Sequence, residues 1–80
     1  MKWEEIRKAK SKLIRGWYAV NYCWEPIEGS FSEPLFFDGE KWPNWIQKFE
    51  NDYYPILYVA GPFESENEAE GFIEKNDIEF

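Results

Sequence analysis

The chain has 80 residues, a formal net charge of −7, no histidine and a single cysteine, Cys23. That length allows one domain, residues 1–80, and one cysteine excludes an internal disulfide; without histidine, a zinc site lacks its usual ligands. Seventeen side chains are aromatic (five Trp, five Tyr, seven Phe), so dense ring packing or association has to stabilise a core this small.

Residues 3–14 are expected to form an amphipathic helix. Trp3, Ile6, Lys10 and Leu13 follow the three-and-four spacing, with Ala9 and Ile14 beside them. Glu4 and Glu5 open this segment, Lys12 and Arg15 close it, and Gly16 is a natural stop. Residues 17–24 (WYAVNYCW) read as a strand. Tyr18, Val20, Tyr22 and Trp24 fall on one face and Trp17, Ala19, Asn21 and Cys23 on the other. Neither face is polar, which places the strand centrally. Residues 26–34, between two prolines, read as a loop.

Residues 35–38 begin a second strand. Asp38-Gly39 is a strong hairpin signal, with a return strand expected through Lys41 and Trp42 until Pro43 interrupts it. Residues 44–50 fit either a short helical turn or a strand continuation, and Asn51-Asp52 marks a turn. Residues 54–60 form a buried strand that Gly61-Pro62 is expected to end. A closing helix follows, with Ser65 as its N-cap and Glu68 completing a capping box. Its inner stripe is Ala69, Phe72 and Ile73, and its outer stripe is Glu66, Glu70 and Glu74. Asn76-Asp77 ends it, and Ile78 and Phe80 form a short apolar tail.

The expected fold class is α+β in the order α-β-β-β-α: a small antiparallel sheet of three to four strands with an N-terminal and a C-terminal helix. If both helices lie on one face, ring surface stays open on the other, and a partner or a second copy would cover it.

Charge is unevenly spread. Residues 1–15 carry a net +4 and residues 16–80 a net −11. The acidic body disfavours direct nucleic-acid binding and suits a basic protein partner. No apolar run approaches the roughly 18 residues of a membrane helix, and the charged N-terminus lacks a signal-peptide core. A cytoplasmic location is therefore expected.

Catalytic equipment is sparse. There is no histidine to act as general base and no phosphate-binding glycine loop. Cys23 sits among aromatics with no basic neighbour in sequence to depress its pKa, so it reads as an inert thiol. No carboxylate spacing matches a calcium loop. A non-enzymatic binding protein without cofactor or metal is the expected class. Its candidate partner-binding residues are Trp42, Trp45 and Tyr53, around the irregular Pro43 region, with Glu66, Glu70 and Glu74 as the charged element.

The layout GWYAVNYCW at 16–24, LFFDGEKW at 35–42 and GPFESENEAEGFIEKND at 61–77 resembles small bacteriophage and prophage proteins. Those pair a GxYxV strand, a DGxxW hairpin and a closing acidic helix. The resemblance implies a bacterial host and an accessory role. Many phage proteins of this size bind and inhibit a host protein, CRISPR effectors among them. Residues 58–75 (YVAGPFESENEAEGFIEK) are also similar to the last strand and helix of SPOR domains, which implies glycan binding as an alternative. Self-association as a structural protein is a further alternative.

Overall fold

The computed structural model describes residues 2–23, 30–43 and 56–76. The fold is α+β, a four-stranded antiparallel sheet with a helix on each face. Its elements are β1 (Glu4–Glu5), α1 (Ile6–Ala9) with a 3₁₀ turn at Lys10–Lys12, β2 (Gly16–Cys23), β3 (Ser30–Phe37), β4 (Ile56–Phe63) and α2 (Glu66–Lys75). The strand order is β1-β4-β2-β3.

β2 is central, as its two apolar faces require. Tyr18, Val20 and Tyr22 join Leu35, Phe37, Ile56 and Val59 in the larger core, which Ile6, Ala9 and Leu13 cover. Ala19, with Ala60 and Phe72, builds the smaller core on the opposite face, against Trp3, Phe63 and Ile73. The small residues Ala19 and Ala60 pair across β2 and β4, making room on that face for the Phe72 ring. α1 and α2 therefore cover opposite faces of the sheet, and the open ring surface expected from a one-sided arrangement is not found among the described residues. Among the described residues, the only exposed large hydrophobics are Ile14 and Phe31.

The N-terminal segment departs from the expected helix over 3–14, which is broken into β1, α1 and the 3₁₀ turn. The reason is long-range. Trp3 packs edge-on against Phe72, with ring centroids 5.2 Å apart, and its Nε1 donates to the Asn76 carbonyl at the end of α2. Ile6 and Leu13 pack on the other face. The chain thus wraps around the edge of β4, pairing Glu4 with Val59 and Glu5 with Tyr58 as it passes. A continuous helix could not place Trp3 and Ile6 on opposite sides of one sheet.

Three strand boundaries also differ from expectation. β3 starts at Ser30, inside the segment read as a loop, because its pairing with β2 runs from Cys23–Ser30 to Gly16–Phe37. Pro34 is tolerated in it because β3 is the edge strand. β4 runs to Phe63 through the cis Gly61–Pro62 bond, beyond its expected end, and its register against β2 shifts between Trp17 and Ala19. The Asp38-Gly39 turn forms: Asp38 Oδ1 accepts from the amides of Glu40 and Lys41, each at 2.8 Å, and Gly39 has φ +106°. The expected return strand through Lys41 and Trp42 does not follow. Trp42 instead folds over Tyr18 and Phe37, at centroid distances of 5.6 and 4.9 Å, where its ring is buried. The alternatives for 44–50, the Asn51-Asp52 turn and the apolar tail lie outside the described residues.

α2 begins as its capping signal dictates. Ser65 Oγ accepts from the Glu68 amide at 3.2 Å, and Glu68 Oε2 accepts from the Glu64 amide at 3.1 Å. The carboxylate reaches back one residue further than in the usual capping box. Ser65→Ala is expected to cost about 1 kcal/mol, measured by urea denaturation.

Candidate interaction surfaces

The six candidate contact residues have different fates. Glu66, Glu70 and Glu74 are exposed and follow one another at successive turns along α2. Burial of Ala69 and Phe72 against the sheet fixes this orientation, because four-residue spacing keeps the glutamates on one outward stripe. None of the three forms an ion pair with a described residue. Trp42 is 5 % exposed and belongs to the larger core, so it is not a surface anchor. Its irregular surroundings in sequence reflect a ring folded inward over a turn. Trp45 and Tyr53 lie outside the described residues, as does the side chain of Cys23.

Two buried or half-buried polar groups stand out on the sheet. Asn21 is 0 % exposed. Its Nδ2 donates to Ser32 Oγ at 3.0 Å, and to Ser30 Oγ and the Phe31 carbonyl at 3.3 Å. Its Oδ1 has no described partner, an arrangement that costs stability when such an atom is dry. Glu33 accepts from the Tyr22 hydroxyl at 3.3 Å. Burial pushes its carboxyl above the ordinary value, and the Tyr22 hydrogen bond only partly offsets that. A folded-state pKa above the unfolded one makes Glu33 stabilising at acid pH, an effect lost as pH rises through the folded value. Glu33→Gln removes that loss and keeps an acceptor for Tyr22. The variant is expected to gain stability relative to the parent as pH rises from about 4 to about 7, read by urea denaturation at both. On the exposed turn, the Lys41 and Glu40 amides hold Asp38 below its ordinary value.

Sequence reasoning missed a cleft of about 390 Å³ beside β4. It forms where the N-terminal segment passes around the sheet edge, and Lys2, Trp3, Lys12, Leu13, Ile14 and Ala60 are among the residues lining it. The cleft also needs Ala60, Gly61 and Pro62, distant in sequence from residues 2–14, so no local signal pointed to it.

Among the described residues, no group of three or more His, Cys, Asp and Glu side chains is placed to hold a metal ion. No helix of the described residues is long and apolar enough to cross a membrane. Comparison with protein-family models, curated proteins and solved structures gives no match.

Proposed function

We propose that this is a non-enzymatic binding module, a phage-type accessory protein that docks on a basic surface of a host protein in the bacterial cytoplasm and modulates it. The observation that carries this reading is the outward stripe of Glu66, Glu70 and Glu74 on a helix anchored through Ala69 and Phe72. Carboxylates held on a rigid helix, with no ion pair to a described residue, can pair with a partner's lysines and arginines. A charged surface of this kind accelerates encounter and selects against acidic proteins. Ring anchors at Trp45 and Tyr53 would supply apolar contact area, as aromatic hot spots commonly do. Trp42 has no part in this surface.

The test is capture from bacterial lysate with the parent and with Glu66→Lys/Glu70→Lys/Glu74→Lys, followed by titration of the purified captured protein. The parent is expected to retain one stoichiometric protein with a basic surface, and the triple variant to bind it at least about tenfold more weakly. Absence of any stoichiometric protein, or equal affinity for both forms, would overturn the reading. The substitutions are on exposed positions and are expected to leave the fold intact, which circular dichroism checks.

A further inference from the structure

The geometry points to the cleft beside β4 as a binding site for a small amphipathic carboxylate. β1 pairs with only Tyr58 and Val59 of the eight-residue β4, and the cleft opens where that pairing stops, along Ala60, Gly61 and Pro62. Its volume of about 390 Å³ lies in the lower part of the range for small-molecule sites. It has room for about a dozen water-sized groups, hence a ligand of about that many non-hydrogen atoms.

The walls set the ligand's body. Trp3, Leu13 and Ile14 line the cleft, and Ile14 is 59 % exposed, so a ring or branched chain lying on it removes apolar surface from water. One wall is pre-formed. The Tyr18 hydroxyl donates to the Ile14 carbonyl at 3.0 Å and accepts from the Ile14 amide at 3.1 Å, pinning the backbone there. Ordering that wall is then not charged against binding.

The charges set the ligand's head group. Lys2 and Lys12 both line the cleft, and Glu4 lies on Lys12 at 3.0 Å, leaving a net positive charge. The cleft is built largely from residues 1–15, a net +4 stretch of a −7 chain. An anion is drawn to the Lys2 and Lys12 side of the cleft. The ligand that fits both walls and charges carries a carboxylate toward Lys2 and an apolar body over Leu13 and Ile14. This inference is independent of the acidic face of α2, which contributes no residue to the cleft.

The probe is 3-phenylpropionate, with 3-phenylpropan-1-ol as its neutral counterpart, followed by amide chemical shifts in ¹H–¹⁵N spectra. The carboxylate is expected to shift amides within residues 2–4, 9–14 and 59–61, with a Kd of about 1 mM or below. The alcohol is expected to bind at least about threefold more weakly. Lys2→Gln/Lys12→Gln is expected to weaken the carboxylate by a similar factor and leave the alcohol unaffected; both positions are exposed, and spectral dispersion reports that the variant is folded. No localised shift at about 10 mM probe, equal binding of acid and alcohol, or an unaltered affinity in the lysine variant would each overturn the proposal.

Discussion

Trp42→Ala is expected to cost about 3–5 kcal/mol in urea denaturation, the range for removing a large ring from a packed core. Trp42 closes the larger core over Tyr18 and Phe37. A core of this size supplies only about 3–5 kcal/mol of net stability. The variant is therefore expected to lose its near-ultraviolet circular dichroism and its dispersed amide spectrum at 25 °C (a temperature at which such domains are near ~maximal stability). This outcome separates the two roles a tryptophan can have here. A surface anchor replaced by alanine would leave the fold intact and weaken a partner's binding. A variant that stays folded with unchanged stability would contradict the buried position of this ring.

Gly61→Ala is the second substitution expected to act strongly, at about 2–3 kcal/mol. Gly61 lies in β4 with φ +144°, a backbone conformation that disfavours a side chain. A β-carbon there would stand 2.8 Å from Tyr18 Cδ1 and 2.9 Å from the Trp17 carbonyl oxygen. The carbonyl belongs to the central strand and cannot retreat without breaking sheet pairing. Tyr18 is equally constrained, since its hydroxyl is bonded to both the amide and the carbonyl of Ile14. Displacing it would disturb the larger core and the wall of the cleft together. The expected result is a lower urea midpoint with an unchanged slope; a midpoint equal to the parent's would contradict the close approach of β4 to β2 at Gly61.

The parts legible in the sequence are those fixed by neighbours in the chain. β2 carries apolar residues on both faces, and that pattern required a central position. α2 is specified by Ser65, Glu68 and the Ala69–Phe72 spacing, all within one segment. The Asp38-Gly39 turn is likewise local, secured by the Asp38 carboxylate and its two amides. What escaped sequence reasoning depends on contacts distant along the chain. Trp3 leaves the expected helix because Phe72 and the Asn76 carbonyl lie across the sheet from Ile6. β3 extends back to Ser30 because Cys23 and Asn21 lie opposite Ser30 and Ser32, whose hydroxyls accept from the Asn21 amide group. Trp42 turns inward because two rings already form a platform for it. The same division holds for the candidate site. The glutamate stripe followed from helical periodicity, whereas the burial of Trp42 and the cleft beside β4 required the chain to be folded.

These placements assign different work to the two abundant residue classes. The described rings mostly close two cores, and the glutamates of α2 face outward on one of them. For the proposed docking on a basic partner, the most direct measurement is the association rate constant with the stoichiometric protein that lysate capture is expected to yield, taken at low and at high salt. Steering by Glu66, Glu70 and Glu74 predicts that the parent's rate falls by about tenfold or more as salt rises, while the triple lysine variant's rate does not fall. A parent rate that is indifferent to salt would contradict the assignment of partner recognition to the acidic face.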